Sequence, residues 1–400
     1  MKILILSTWF PYPPIQGSKI RAYNMIRSLS QENEVALISF QDTTVENKWI
    51  EHLQQYCTKV MVVDQHPFQY HRIKTWLGFF TTLPSSVFAG YSKKMATTVQ
   101  KFAEDWHPDL VLALTFVTAP YALKIPDTLR VVDMDNLLAL MLRDLYLNSA
   151  GFFQKQRRYL AYWKFRNYEN RIYQKFDLAF VCSDLDKIRA AEYINLPPEK
   201  IVAIPNGIEA KIPVIQNNPP ANHNLIFNGS LSYWPNFDAM NYFLLEIFPL
   251  ILAIVPDCKI LITGKLENFD IHLLPNHNGR VVFTGFVEDI NSLVSSCAAC
   301  VVPLRHGAGT RLKVLEAMAA GTPVVTTSKG AEGLNVQHGQ HLLLADTPQD
   351  FANNTIQILQ NPNLREKIIR QGRNLVESVY DWQIIGDKLN QNIRFLSTTK

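Results

Sequence analysis

The apolar positions of this chain fall into short continuous runs, with neither the strict alternation of half-exposed strands nor one long helical stripe. The first run is KILILS at 2–7. A proline-rich loop at 10–16 and Gly17 follow, and Ser18 reads as the N-cap of a helix reaching about residue 30. EVALISF at 34–40 is a second strand. Strand, loop, helix and strand within about 40 residues is how a doubly wound parallel sheet begins. Further buried strands are predicted at 59–63, 110–114, 130–133 and 178–182, with helical stretches between them.

After IVAIPNGIEA the text at 211–224 is rich in proline and asparagine and has no apolar period, so it reads as a linker. A second alternation follows. NLIFNGS is a strand, 238–253 a helix, CKILITG and VVFTGFV strands, and 289–296 a short helix. Strand ACVVPL, helix 311–320 and strand PVVTT come next, then helices at 348–360 and from Asp381 onward. Continuous apolar strands are those covered by helices on both faces. The pattern predicts two α/β domains, 1–205 and 206–380; the terminal helix 381–400 is expected to pack back on the first.

Length agrees, since 400 residues exceed one ordinary core and suggest two domains of about 200. Hydrophobic residues at 47% against 18% charged exclude a disordered chain. A net charge of +4 is too mild for a nucleic-acid binder, so no nucleic-acid partner is expected. Five cysteines, an odd count, argue against a disulfide framework and for a reducing compartment. Cys297 and Cys300 form a C-x-x-C inside apolar LVSSCAACVVPL with no second pair, and read as buried thiols with no metal. The opening apolar run is too short for a secretory signal. The stretch 242–255 is interrupted by Glu246 and Pro249 and reads as a buried helix. The protein is therefore expected to be cytoplasmic.

The segment richest in chemistry is HGAGTRLKVLEAMAAGTPVVTT, 306–327. A strand delivers the chain to a glycine-containing loop, Thr310 reads as a helix cap, and Gly321 ends the helix. Arg311 and Lys313 put two cations in a first turn where the helix dipole is already positive, a cost of some tenths of a kcal/mol each. A bound anion reverses that cost, because helix N-termini after glycines hold phosphates on free N–H groups. Two readings stand. Either the cations serve a diphosphate, or both side chains curl into solvent or pair with Glu316, three residues after Lys313.

LEAMAAGTPVV, with the Gly loop before it and KGAEGL after, resembles the C-terminal signature of the family-four, group 1 glycosyltransferases. PNGI at 205–208, FNGSLSYWPN at 227–236, FTGFVEDI at 283–290 and the N-terminal KILILSTWFPYPPIQGSKIRAYNMIRSL agree in kind and order. The resemblance implies a GT-B fold, two Rossmann-like domains facing a cleft. It further implies retaining transfer from a nucleoside-diphosphate sugar without a metal or other cofactor. By the same resemblance Glu316 holds the donor ribose. The loop of Gly307, Ala308, Gly309 and Thr310 approaches sugar and phosphates, Gly17 and Gly229 lie near the donor, and Val287 lines the base pocket. His306 beside the loop reads either as a sugar contact or as an ordinary loop histidine.

Two departures shape that expectation. Many relatives carry a glutamate where this chain has Ala308, so sugar identity does not transfer. Many also place an Arg and a Lys in the loop that here reads GSLSYWPN, and Arg311 and Lys313 are expected to substitute. Asp133 and Asp135 end an N-terminal strand and read either as acceptor or sugar contacts or as solvated carboxylates. No Ser/His/Asp set or carboxylate pair is fixed by the sequence, and FPYPPIQGSK lacks the G-x-G-x-x-G of an NAD enzyme. A non-catalytic nucleotide- or glycan-binding relative, and a sugar-nucleotide epimerase or hydrolase, are the competing functions.

The run 152–176 carries seven Lys or Arg, one acid (Glu169) and many aromatics. It reads as an ordinary domain helix with aromatics turned inward, or as a contact with the inner face of an anionic membrane, where lipid-linked acceptors lie. YHRIKTWLGFF at 70–80 is a weaker instance of the same kind.

Overall fold

The computed structural model describes residues 1–69, 72–149, 151–210, 222–265, 270–275, 277–307 and 309–398. It divides into two units, Met1–Pro205 with Ile385–Lys400, and Asn206–Ile384.

In the first unit, β1 (Lys2–Ser7), β2 (Glu34–Phe40), β3 (Lys59–Val63), β4 (Leu110–Leu114), β5 (Leu129–Asp133), β6 (Leu178–Val181) and β7 (Ile201–Ala203) form one sheet. Their order is β3-β2-β1-β4-β5-β6-β7 and every pairing is parallel. β4 is buried at all five positions, because helices lie on both faces, which is why its sequence does not alternate.

In the second unit, β8 (Asn224–Asn228), β9 (Lys259–Thr263), β10 (Val281–Gly285), β11 (Ala299–Val302), β12 (Val324–Thr326) and β13 (Leu343–Leu344) repeat the plan. The order is β10-β9-β8-β11-β12-β13, again all parallel. Strand order reverses between β1 and β4 in one unit and between β8 and β11 in the other. Such switch points leave a crevice beyond the carboxyl ends of the strands, where α/β proteins bind ligands. The two-sheet α/β architecture read from the sequence is the one observed.

Local expectations differ in several places. The first helix starts at Gly17 with Gln16 at the N-cap and no side-chain cap; Ser18 instead donates to Asp135 Oδ2 at 2.6 Å. The helix expected at 238–253 begins earlier, at Trp234, and widens into a π turn over Phe243–Ile247. Pro249 has no N–H for the carbonyl four residues back, and the widened turn sits just before it. Strands β7 and β13 were not foreseen, being three and two residues long. The helix Pro362–Leu375, capped by the Asn361 side chain, was also missed. Of the expected linker, 211–221 lie outside the described residues, and Asn224 already belongs to β8.

The last helix, Trp382–Thr398, joins the first unit from Ile385 onward. Asn390 donates to Ser28 O at 2.9 Å and accepts from Asn33 at 3.3 Å. A Cβ on Gly386 would stand 2.5 Å from Ser28 Oγ, so the helices meet where only glycine fits. All five cysteines are buried and unpaired with one another. Burial pushes the thiols of Cys297 and Cys300 up to about 11 and about 12.

Candidate functional site

The switch point of the second unit gathers most of the residues that the sequence singled out. β8 ends at Asn228 and hands over to Gly229; β11 ends at Val302 and continues through the 303–311 loop into the helix Leu312–Ala319. Gly307 and Gly309 have φ of 107° and 85°, left-handed values that a side chain would strain, so the loop turns at two half-buried glycines. Ala308 lies outside the described residues.

Lys313 reaches back beneath the β8 loop. Its Nζ donates to Asn236 Oδ1 at 2.9 Å, stands 4.0 Å from the Phe227 ring centroid, and would be 2.7 Å from a Cβ on Gly229. Glycine at 229 therefore leaves the room the amine occupies. Burial pushes the Lys313 amine down to about 7, against the pull of Cys300 and Glu316. One turn on, Glu316 Oε2 accepts from Asn228 Nδ2 at 2.7 Å. Burial raises its carboxyl above the usual range, while Lys313 and the Asn228 amide oppose the rise. Neither a solvent-facing lysine nor a Lys313–Glu316 ion pair describes this arrangement. Each charged group is held by its own asparagine.

Arg311 is placed differently. It sits at the N-cap and is buried; Nη2 donates to Gly307 O at 2.9 Å and Nε to Lys329 O at 3.2 Å. Glu332 Oε2 is 3.8 Å from Nη2, and Lys329 pairs with the same carboxylate. The guanidinium thus ties the glycine loop to the KGAEGL segment. Thr310 does not cap the helix: its Oγ1 accepts from Asn206 Nδ2 at 3.1 Å, joining PNGI to the loop. His306 packs on Trp234 with ring centroids 4.9 Å apart and Nε2 3.8 Å from Asp238, the carboxylate that Arg305 grips in two bonds. Val287 follows the exposed Phe286 in the loop after β10.

Three supports of this site were missed as such: Asn228, Asn236 and Asp238. The first two stand inside FNGSLSYWPN, and a polar residue closing an apolar strand was the available signal for Asn228.

In the first unit Gly17 is exposed at the head of its helix. Asp133 is neither solvated nor open to a ligand. It is 2% exposed and accepts two bonds from Arg21, at 2.8 and 2.6 Å, and Arg21 also donates to Ile204 O. Asp135 takes the Ser18 hydroxyl, and its carbonyl faces the Cys182 thiol at 3.2 Å.

Residues 222–361, the stretch that holds this site, match the family model described as glycosyl transferases group 1. The chain carries a group 1 glycosyltransferase domain. The transferase is similar over nearly its whole length to an uncharacterised 44.6 kDa protein in the cps region of Klebsiella pneumoniae, 22% identical with 95% of this chain and 96% of that one covered. It is 27% identical to a phosphatidyl-myo-inositol mannosyltransferase of Mycobacterium leprae over 50% of this chain and 54% of that one. Among solved structures, Anabaena Alr3699/HepE in complex with UDP and glucose superposes with a TM-score of 0.68 at 17% identity, covering 98% and 99% of the two chains. The fold of the transferase is GT-B. Among its described residues no helix is long and apolar enough to cross a membrane.

Proposed function

We propose that the transferase moves a glycosyl group from a nucleoside-diphosphate sugar to a glycan or lipid-linked acceptor, with retention at the anomeric carbon, in the making of a cell-surface polysaccharide or glycolipid. One observation carries the reading: an amine and a carboxylate, each steadied by an asparagine, lie one helical turn apart at a switch point beside a loop turned by two left-handed glycines. Such a place suits a ligand with a diphosphate at one end and ribose hydroxyls at the other. The solved neighbour that holds UDP and glucose supports the donor class, and the phosphatidyl-inositol mannosyltransferase supports a lipid acceptor.

In this reading Glu316 accepts from the ribose hydroxyls. Lys313 and the N–H groups of Gly307, Gly309 and Thr310 face the diphosphate, and Arg311 holds the loop in shape while adding positive potential. Gly229, His306 and Val287 border the donor, and Gly17 and Asp135 belong to the acceptor-binding first unit. The bond from the anomeric carbon to the diphosphate oxygen breaks, and the acceptor oxygen attacks from the same face. The acceptor proton passes to the departing phosphate oxygen. The chain's share is electrostatic, stabilising charge as it grows on the diphosphate. The transferase works at the cytoplasmic face of a membrane, with the basic, aromatic helix over 152–173 in contact with it; Phe152 and Phe153 are 70% and 87% exposed there.

A thermal-shift panel of nucleoside diphosphates and their sugars, followed by turnover with acceptor glycan or lipid, tests the reading. One nucleotide is expected to stabilise the protein, its sugar to be consumed only with acceptor, and the product to keep the donor's anomeric configuration by NMR. Consumption without acceptor would point to an epimerase or hydrolase. Binding without turnover would leave a non-catalytic relative.

Glu316→Ala is expected to weaken donor affinity by about tenfold to a hundredfold, the loss of one or two charge-assisted bonds. Titration calorimetry reads it, and unchanged affinity would remove the ribose assignment. Donor affinity should also depend on pH. The Lys313 amine, at about 7, is a cation below that pH and neutral above it, while both phosphates of a sugar nucleotide stay ionised throughout. Affinity is therefore level at low pH and falls as pH rises through 7, by up to about tenfold per unit. A flat profile from pH 6 to 9 would take Lys313 out of the diphosphate site.

A further inference from the structure

In the first unit a cavity of about 460 Å³ opens between the segment 82–91, the short helix Ala119–Ala122 with Leu123 after it, and the end of the long helix Phe152–Tyr173. Its walls are chiefly apolar, among them Leu83, Val87, Phe88, Leu123 and Ile172. Only two lining residues are charged, and both are cations: Arg171 and Lys175, exposed at the rim. None of the residues in 72–91 is acidic. The one acid of the long helix, Glu169, is fully buried and accepts from Ala139 N, so it does not offset them at the surface.

The chain beside the cavity leaves large apolar groups uncovered. Trp76 is 62% exposed, Phe79 49%, Phe80 75% and Leu83 39%. Lys164 of the long helix donates to the carbonyls of Gly78 and Phe79 at 3.2 and 2.9 Å, which pins this aromatic turn against the helix that supplies the rim cations. Exposed apolar groups grouped in this way mark an interaction surface. An apolar hole with a cationic lip fits a molecule with a hydrocarbon chain and an anionic head.

We propose that this cavity takes one hydrocarbon chain of an anionic phospholipid from a bilayer, with the lipid phosphate between Arg171 and Lys175 and the Trp76–Phe80 turn set into the same leaflet. The inference rests on the membrane contact proposed above and is independent of the donor site. Free phosphate gains only the two exposed cations, and a zwitterionic lipid gains the cavity without net attraction, so the anionic lipid is the one ligand that uses both.

The full chain is tested in two assays. In the first, short-chain phosphatidylglycerol below its micelle concentration is expected to raise the melting temperature, whereas glycerol phosphate and short-chain phosphatidylcholine are not. In the second, the chain is sedimented with phosphatidylcholine vesicles with and without phosphatidylglycerol, and binding is expected only with the anionic lipid. The pair Arg171→Gln and Lys175→Gln, both exposed and so harmless to the fold, should weaken both kinds of binding about thirtyfold and leave nucleotide affinity unchanged. Vesicle binding that persists in the pair, with no response to monomeric lipid, would overturn the cavity but keep the membrane contact. Absence of vesicle binding by the parent would overturn both. Self-association of the parent, abolished by Phe80→Ser, would assign the face to a second copy of the chain and overturn the lipid.

Discussion

Replacing Lys313 by methionine is expected to leave the protein at least as stable as the parent while lowering turnover by about a hundredfold to a thousandfold, the usual cost of one preorganised charge at a growing anion. The two effects separate because the same burial has two consequences. In the free protein the amine loses hydration and is pushed down to about 7 from an ordinary 10.5. The folded state then holds fewer protons than the unfolded one between those values, so this lysine detracts most from stability below pH 7 and less as pH rises. Methionine has a similar length, keeps contact with Phe227 and carries no charge to desolvate. Thermal melts at pH 6 should favour the variant, with the advantage shrinking by pH 9. A variant that melts lower at every pH would mean that the Asn236 hydrogen bond and the Phe227 contact hold the loop together.

Asp133→Ala should act in the opposite way, on the fold before the chemistry. It removes the carboxylate that takes two bonds from the buried Arg21 guanidinium and leaves the weaker pull of Asp135 on that charge, a loss of about 3–5 kcal/mol. For a unit of this size that is a fall of roughly 10 °C in its melting transition. Replacing both partners, Arg21→Met with Asp133→Leu, should recover most of the loss, since an apolar pair of similar volume needs no hydration. If Asp133→Ala melts like the parent yet transfers nothing, the carboxylate belongs to the acceptor site after all.

These two residues also mark how far the sequence could be read. Most strand positions and the two-unit plan were legible because the longer buried parallel strands leave short apolar runs bounded by turn residues. The glycine loop and the Leu312–Ala319 helix were legible for a related reason, as turn chemistry and apolar spacing are both local. What side chains do at the ends of those elements is not local. Asp133 and Asp135 sit two apart, yet one is sealed by a residue 112 positions earlier and the other meets Ser18. Arg311 and Lys313 looked equivalent on the first turn. In the fold one braces a loop and the other lies under Gly229, a difference decided by Lys329 and Asn236, which no spacing rule connects to them. The π turn before Pro249 was hidden for a simpler reason, since the apolar period alone does not register one extra residue per turn.

The last helix gives the order of synthesis a structural meaning. Ile385, Leu389, Asn390 and Ile393 are buried in the first unit, but they leave the ribosome after all of the second. Until then the flank of the first helix at Ser28, against which Gly386 later packs, lacks the helix that covers it, and the nascent first unit stays open there through translation of some 180 residues. The unit that begins folding first is completed last.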